Sequence, residues 1–367
     1  MKAGFANEEA PFVLFPNLVG KPRFRGPAAG ISFYPGRHDA FIGNRAQEMR
    51  GILSLKYPIE AGVIEDWDSM EMILDETYKE LGVPMEEHPC MMTMARWNPT
   101  KNREKLAEMM FEVFGVPGLY IAIPSILCLY ASGRTTGIVV ESGDGVTHSD
   151  PIAEGFALHH ASRKNFGGRN VTELFCQLLR EGGHRFVSSA EFEIARDIKE
   201  KHGFVVPDFN LAMAKSRVNP ETFMTKYTLP DGQVIEIGDA LFRAPEGIFQ
   251  PGFFGFEADG LQNMAFNNIL QAPRDLRRTL YSNVLLSGGN TLLPGFAERL
   301  EKEMDNLVNI HGLTNVKVKV IAPPERKYSV WIGGSILAGL STFSQMWYSR
   351  EDFEEEGVSG ISQRFQS

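Results

Sequence analysis

The chain has 367 residues, a formal net charge of −9 and 43% hydrophobic residues. This length exceeds the roughly 250 to 300 residues at which a single hydrophobic core stops growing, so we expect two domains or one two-lobed body. Because the balance of charge is acidic and the sequence has no basic stripe, direct binding to nucleic acid is disfavoured.

The three cysteines, Cys90, Cys128 and Cys176, are far apart and lie in apolar surroundings. This pattern is typical of free thiols in a reducing compartment, not of disulfides or a metal cluster. No apolar run approaches the roughly 18 residues of a membrane span, and the first residues lack the apolar region of a signal peptide. We therefore expect an intracellular protein with no membrane insertion.

Short β-branched segments alternate with amphipathic segments along the chain, which indicates an α/β fold. Residues 24–44 are rich in glycine and proline without a sustained period, which predicts a long exposed loop or small lobe suited to an interaction surface. Further along, a predicted strand followed by glycines occurs twice, at 138–145 and at 284–289. This recurrence suggests two related halves.

The stretch "IVVESGDGVT" predicts a buried strand that ends in Glu141, followed by Asp144 between Gly143 and Gly145. Glycines let a phosphate approach the main-chain N–H groups of a turn, and an aspartate can reach a Mg²⁺ ion through a bound water. An Asp-Gly pair is also a common closure of a β-hairpin, and taken alone the stretch favours that simpler interpretation.

The stretch "EIARDIKEK" predicts a helix on which Arg196, Lys199 and Glu200 share one face. Side chains of these types could grip the ribose and base edge of a nucleotide. The commoner explanation of such a face is a solvated surface with weak salt bridges.

In "LLSGGNTLLPGF" a predicted strand ends in Gly288 and Gly289, and a helix follows. The carboxyl end of a strand in an α/β fold is where ligands usually bind. Taken singly, the glycine pair is better explained by a tight turn with the helix packed close.

The stretch 322–347 carries Ile336, Leu337 and Leu340 at helical spacing, with Tyr130 as a predicted neighbour. Most such apolar stripes are core, and the functional alternative is a groove that receives a helix of a partner protein. The pattern alone leaves both interpretations open.

The segments "LYASGRTTGIV", "SGDGVTH", "LPDGQVIEIG", "LSGGNTLLPGF" and "APPERKYSVWIGGSILAGLSTF", in this order and spacing, closely resemble actin and the actin-related proteins. The resemblance runs from Lys2 to the C-terminus. It implies the α/β actin-like fold, with two lobes of two subdomains each, and ATP or ADP with Mg²⁺ in the cleft between the lobes. The implied subdomains are 1–16, 58–131 and 329–367 for subdomain 1, 17–57 for subdomain 2, 132–166 and 257–328 for subdomain 3, and 167–256 for subdomain 4.

The resemblance also implies roles for single residues. Those implied to contact the nucleotide are Lys2, Gly143, Asp144, Gly145, Val146, Arg196, Lys199, Glu200, Gly288, Gly289, Asn290 and Lys327. Those implied to line the target-binding groove of subdomain 1 are Tyr130, Leu337 and Leu340. Asp144 matches the acid that orders the metal-bound waters.

Two longer stretches also have counterparts in the family. Residues 24–44 correspond to the loop by which one actin subunit grips the next. Residues 253–270 lie where the family carries its interstrand plug. Both correspondences imply contacts between subunits.

The start of the chain departs from the family's pattern. Actins begin with a strand and a "DNGSG" turn that forms the first phosphate loop, and this chain starts just after that turn. Its Lys2 matches a lysine that reaches the phosphates, although a near-terminal residue is poorly held. We expect either that half of the phosphate clamp is missing, or that Met1 is a misassigned start or an isoform boundary.

Further departures lie on the side of the terminal phosphate. The family's catalytic glutamine, which orients the attacking water, aligns with Pro124, the predicted first residue of a helix. Proline has no side-chain donor or acceptor, and the loss of a water-orienting group can cost about 10²-fold or more in phosphoryl transfer. Ala61 stands where many actins carry a histidine linked to phosphate release.

Glu141 stands where the family has an aspartate near the attacking water, and His148 matches the nearby histidine. The extra methylene of glutamate moves the carboxylate by about 1.5 Å, which is enough to misplace a water. We therefore interpret Glu141 and His148 as vestiges of a catalytic site, and expect hydrolysis of ATP to be slow or absent.

The leading hypothesis is an actin-like cytoskeletal or scaffold protein that assembles into or binds filaments or a larger complex, with weakened nucleotide binding and weak or lost hydrolysis. Its expected partners are copies of itself, actin and actin-binding proteins, in the cytoplasmic cytoskeleton or in a nuclear complex. The alternative is an active filament-forming ATPase whose hydrolysis times disassembly. Sugar kinases and chaperones share the fold but are disfavoured, because the matched motifs are those of actin.

Overall fold

A computed structural model of the protein describes residues 1–22 and 40–365. Its strands are β1 (Lys2–Ala3), β2 (Val13–Leu14), β3 (Val19–Pro22), β4 (Phe41–Ile42), β5 (Leu53–Lys56), β6 (Ile59–Glu60), β7 (Val63–Ile64), β8 (Cys90–Thr93), β9 (Gly118–Ala122), β10 (Gly137–Ser142), β11 (Thr147–Ala153), β12 (Phe156–Ala157), β13 (Ser162–Lys164), β14 (Thr225–Thr228), β15 (Val234–Ile237), β16 (Val284–Ser287), β17 (Val320–Ile321) and β18 (Tyr348–Ser349).

The α-helices are α1 (Gly43–Glu48), α2 (Trp67–Leu81), α3 (Thr100–Glu108), α4 (Pro124–Ala131), α5 (Gly168–Glu181), α6 (Ser189–His202), α7 (Phe209–Val218), α8 (Ala240–Glu246), α9 (Leu261–Gln271), α10 (Arg274–Ser282), α11 (Phe296–Ile310), α12 (Ser329–Ala338) and α13 (Arg350–Arg364). The predicted α/β class is therefore confirmed.

The chain forms two compact units. The first unit comprises Met1–Ala131 and Val330–Ser367, and the second comprises Ser132–Ser329. Two units are compatible with the expectation of two domains or one two-lobed body, and the division of each into two subdomains stays a prediction.

Most of the predicted loop 24–44 lies outside the described residues. Its last residues are described and are regular structure, since Phe41–Ile42 forms β4 and α1 begins at Gly43. The predicted loop therefore extends too far toward the C-terminus.

In the first unit, β18, β9 and β8 form one sheet in that order, and β4, β3 and β5 form another. The pairs β1–β2 and β6–β7 are antiparallel. Helix α13 packs against α3. The core of this unit contains the fully buried side chains of Leu106, Met110, Phe111, Leu119 and Tyr348.

In the second unit, β12, β11, β10, β16 and β17 form the main sheet in that order, and β13 pairs with β11. Strands β10 and β16 are parallel neighbours, buried at every position except the partly exposed Glu141, and Ile138 lies opposite Val284 and Glu141 opposite Ser287. Parallel pairs buried on both faces are typically continuous apolar runs, as here.

The pairing of β10 with β16 corrects one prediction. The recurring pattern at 138–145 and 284–289 does not mark two related halves, because both stretches belong to one sheet. The pairing of the two stretches has a structural consequence. The carboxyl ends of the two strands, each followed by glycine, lie side by side.

The core of the second unit is built mainly by helices packed on this sheet. Its largest fully buried side chains include Phe175, Phe249, Phe266, Tyr281 and Phe296. The three cysteines are free, as predicted. Over the described ranges 1–22 and 40–365, no helix has the length and apolar character needed to cross a bilayer.

Candidate functional site

The turn that joins β10 to β11 lies at the centre of the candidate site. The N–H of Gly143 donates to the carbonyl of Val146 at 3.0 Å, and the hydroxyls of Ser142 and Thr147 are hydrogen-bonded at 3.0 Å. Strands β10 and β11 are antiparallel, so the interpretation of the Asp-Gly pair as the closure of a hairpin is confirmed. A role of this turn in phosphate binding is compatible with that geometry and stays a prediction.

The end of β16 lies against the same turn. Gly288 has a φ of +90°, and a Cβ there would lie 2.3 Å from the carbonyl oxygen of Ser142, so only glycine fits. The tight-turn interpretation is therefore confirmed at Gly288. A Cβ on Gly289, in contrast, would have no atom within 4 Å, so the backbone of this second glycine borders open space.

Asn290 connects the two strand ends. Its side-chain amide donates to the carbonyl of Gly143 at 2.8 Å and to the hydroxyl of Ser142 at 3.0 Å. The side chain is buried. Asn290 was predicted from the resemblance to contact the nucleotide, and in the structure it holds the Gly143 turn in place.

The amino end of α5 completes the support of the turn. The N–H of Gly168 donates to the carbonyl of Gly143, and the N–H of Arg169 donates to the carbonyl of Asp144, each at 2.9 Å. A Cβ on Gly167 would lie 2.7 Å from both of these oxygens. This contribution was not predicted from the sequence, although the stretch "FGGRN" carries the signal, since two glycines at the start of a helix permit close backbone approach.

Arg169 also lies near the acid predicted to order metal-bound waters. Its guanidinium is 3.5 Å from a carboxylate oxygen of Asp144, whose side chain is about half exposed. The described residues contain no group of three or more His, Cys, Asp or Glu side chains able to hold a metal ion. Asp144 alone is compatible with the predicted contact through water, because Mg²⁺ usually keeps several waters.

The three predicted residues on α6 divide into two sets. Arg196 pairs with Glu193 at 2.7 Å and lies 4.0 Å from Glu200, in keeping with the predicted charged face. Lys199 is buried and donates from Nζ to the carbonyl of Gly168 at 2.9 Å. For Lys199 the alternative of a solvated surface residue is therefore wrong.

The environment of Lys199 links α6 electrostatically to the turn. Burial lowers the pKa of the Lys199 ammonium, and the negative charge of Asp144 offsets part of that effect. The Lys199 ammonium thus lies beside Gly168, whose N–H supports the turn. A positive charge near the turn suits a ligand with phosphate groups, which is itself strongly anionic.

Glu141 and His148, the predicted vestiges of a catalytic site, lie in strands of the main sheet and not in the turn. Glu141 and His148 are directly opposite each other on β10 and β11, and their side chains are 3.4 Å apart. Asp150, which was not predicted as a site residue, lies 3.5 Å from the same imidazole nitrogen. Burial lowers the pKa of His148, but the hydrogen bond and charge of Glu141 and the charge of Asp150 outweigh it, so that the pKa is raised.

Lys327 lies in the turn that precedes α12, next to Arg326. The Arg326 guanidinium donates to the carbonyl of Thr291 at 2.9 Å, and its own carbonyl accepts from the N–H of Gly288 at 3.2 Å. This places the backbone of Lys327 beside the end of β16. Its contact with a nucleotide stays a prediction.

Lys2, Ala61 and Pro124 belong to the first unit. Lys2 is exposed and lies opposite Leu14 in the β1–β2 pair. Pro124 is the first residue of α4, as predicted. Ala61 has a φ of +45° in the turn between β6 and β7. The roles of these residues toward a nucleotide stay predictions.

The predicted groove is also in the first unit. Helix α12 crosses α4 so closely that a Cβ on Gly333 would lie 1.8 Å from the carbonyl oxygen of Leu127. Beyond this crossing Ile336 and Leu340 are 46% and 51% exposed. These two residues are therefore not core, whereas Leu337 is half-buried, as is Tyr130 of α4.

The predicted plug, 253–270, is only partly a loop. Its second half is α9, in which Leu261 and Phe266 are fully buried. Phe253 and Phe256, in the first half, are about 40% exposed. The plug as predicted therefore includes a core helix, and only its first half has the exposure that an intersubunit contact requires.

The residues of the second unit fit a nucleotide with Mg²⁺. Residues 143–146 of the turn are exposed or partly exposed, the space beside Gly289 is open, and the chain offers the buried ammonium of Lys199 and the half-exposed carboxylate of Asp144. A family model described as Actin matches residues 1–366, almost the entire sequence. The match covers both units and every motif described above. The chain belongs to the actin family.

Proposed function

We propose that the protein is an actin-like scaffold subunit whose second unit binds an adenine nucleotide with Mg²⁺. The observation that carries this proposal is that hydrogen bonds join the ends of β10 and β16. Asn290 donates to Gly143, and the amino end of α5 donates to the same turn. Open backbone at the carboxyl ends of adjacent parallel strands is the usual place for a phosphate ligand in an α/β fold.

Each part of the site has a role in this proposal. The turn 143–146 would offer main-chain N–H groups to phosphate oxygens. Asp144 would hold Mg²⁺ through water, and Lys199 would supply a fixed positive charge. Arg196, Glu200 and the backbone around Lys327 would lie along the sugar and base. The phosphate groups of the nucleotide would supply the negative charge that Lys199 and Mg²⁺ balance.

The proposal includes weak or absent hydrolysis of ATP. Pro124 begins α4 and has no side-chain amide to orient a water. Glu141 and His148 are paired with each other inside the sheet. The alternative, an active filament ATPase, requires another group to orient the water.

We further propose that the output of the protein is assembly, with copies of itself, actin or actin-binding proteins as partners in the cytoskeleton. Membership of the actin family supports this in general terms. The half-exposed Ile336 and Leu340 beside the α4–α12 crossing support a contact with an apolar helix of a partner. A nuclear complex is a second candidate location.

Titration calorimetry with ATP and ADP, with Mg²⁺ and with chelator, tests nucleotide binding. The informative variant is Lys199→Met, and Lys201→Met is its matched control, because Lys201 lies on the same helix, is exposed and pairs with Asp197. Loss of a charge-assisted contact should weaken binding by about 10-fold or more, and the control should leave it unchanged. Equal affinities for the two variants would contradict the proposed site.

Phosphate release and sedimentation test the rest. We expect release from Mg-ATP to be far slower than that of filamentous actin. Sedimentation and negative-stain imaging with ATP, with ADP and without nucleotide should give filaments or a defined complex. Release at the rate of conventional actin would favour the alternative function, and a monomer under all three conditions would contradict self-assembly.

A further inference from the structure

One imidazole nitrogen of His148 lies between two carboxylates. Its Nε2 is 3.4 Å from Glu141 Oε2 and 3.5 Å from Asp150 Oδ2. The side chains of His148 and Asp150 are nearly inaccessible, at 6% and 2% exposure, and that of Glu141 is 17% exposed. A buried charge is tolerated in proteins when it is paired. Here one imidazole, which can carry a positive charge, faces two carboxylates.

The sheet itself creates this arrangement. Glu141 and His148 are cross-strand partners, and Asp150 lies two residues further along β11, on the same face. On the other side of His148, its partner on β13 is Arg163. Helix α9 packs on β11 through Asn268, which donates to the carbonyl of Ser149 and carries no charge.

Within the described ranges 1–22 and 40–365, the charged groups that act on His148 are Glu141, Asp150 and Arg163. Burial and the positive charge of Arg163 favour the neutral imidazole, whereas the two carboxylates favour the imidazolium. Since both carboxylates lie within 3.5 Å of the same nitrogen, their combined attraction prevails over the opposing effects.

We propose that Asp150 is a positioning residue which, together with Glu141, stabilises the imidazolium form of His148 and so hinders His148 from accepting a proton from a water. An imidazolium carries a proton on each nitrogen and cannot accept another from a water. Glu141 is meanwhile engaged with that cation. This inference deepens the proposed function, on which its relevance to slow hydrolysis rests.

The test is the pH titration of His148. It is monitored by NMR, with protein labelled at the histidine Cε1 carbon. His148→Gln assigns the signal, because that variant lacks it. In the unmodified chain we expect His148 to titrate at a higher pH than the histidines of the same chain unfolded in urea. In Asp150→Asn we expect the titration to move to lower pH, and Asp231→Asn, in the β14–β15 turn, is the matched control that should not move it.

Two outcomes overturn the inference. One is that His148 of the unmodified, folded chain titrates at the same pH as the histidines of the unfolded chain, or at a lower pH. The other is a titration that Asp150→Asn leaves unchanged. Should Asp150→Asn not fold, Glu141→Gln takes its place and must lower the titration pH. The measurement uses no nucleotide, so its outcome is independent of whether the second unit binds ATP.

Discussion

The side-chain amide of Asn290 donates to the carbonyl of Gly143 at 2.8 Å, and the two residues are 147 positions apart in the chain. The contact ties the turn after β10 to the segment after β16. Because the carbonyl is fixed by the amide of Asn290 and by the N–H of Gly168, the free N–H groups of the turn are oriented in advance of any ligand. Such preorganisation lowers the entropy that binding costs.

Replacement of Asn290 by alanine should therefore weaken ATP and ADP binding. Removal of the amide leaves Gly143 and Ser142 without one buried donor, which typically costs about 1 to 3 kcal/mol. We expect a loss in nucleotide affinity on the order of 10-fold, measured by calorimetry. Asn267→Ala, at an exposed position of α9, is the control. If the two variants bind equally well, the turn does not depend on Asn290.

Gly167→Ala should disturb the same turn from the other side. The added methyl would lie 2.7 Å from the carbonyl oxygens of both Gly143 and Asp144, so the amino end of α5 must move away. We expect a loss of stability of about 1 to 3 kcal/mol, together with weaker nucleotide binding. The matched control is Gly252→Ala, since a methyl there meets no atom within 4 Å. Urea denaturation and calorimetry measure the two effects, and equal midpoints for both variants would count against this packing.

The local elements of the site could be predicted from the sequence because their signals are local. The Asp-Gly pair predicts a hairpin, and "GIVV" predicts a buried strand. The positions of Pro124 at a helix start and of Lys199 on a helix follow in the same way. Each of these signals lies within a few residues of the structure it determines.

What could not be predicted depends on contacts between distant segments. Lys199 is buried because the amino end of α5, 31 residues earlier, lies over it. The pairing of β10 with β16 joins stretches about 150 residues apart, and no local pattern specifies which strands become neighbours. Asp150 was missed for a related reason, since its role appears only when the register places it beside His148.

Ala61 offers a test in the first unit. It has a φ of +45° and Gly62 has a φ of +72°, in the two-residue turn between β6 and β7. Alanine is strained at positive φ, whereas asparagine is well tolerated there. Ala61→Asn should raise the stability by about 0.5 to 1 kcal/mol, and Ala61→Val, which is β-branched, should lower it. An unfolding midpoint that falls for Asn as much as for Val would contradict the strained turn.

The stability of the protein should depend on pH through His148. The pKa of His148 is raised in the folded state by Glu141 and Asp150, against the effect of burial. A raised pKa contributes stability that is fully present below the unfolded pKa of about 6.5 and is lost as the pH rises through the folded pKa. The contribution of Asp150 must follow the same course, because it acts on the protonated imidazole.

The comparison of the unmodified chain with Asp150→Asn isolates that contribution. We expect the unmodified chain to have the higher urea midpoint at about pH 6, below the unfolded pKa, and this advantage to shrink or reverse toward about pH 9, as the pH rises through the folded pKa. Above the folded pKa, Asp150 becomes a buried carboxylate beside an uncharged ring, which is unfavourable. A midpoint difference that is constant between the two pH values, or larger at the higher one, would mean that Asp150 does not act through the charge of His148.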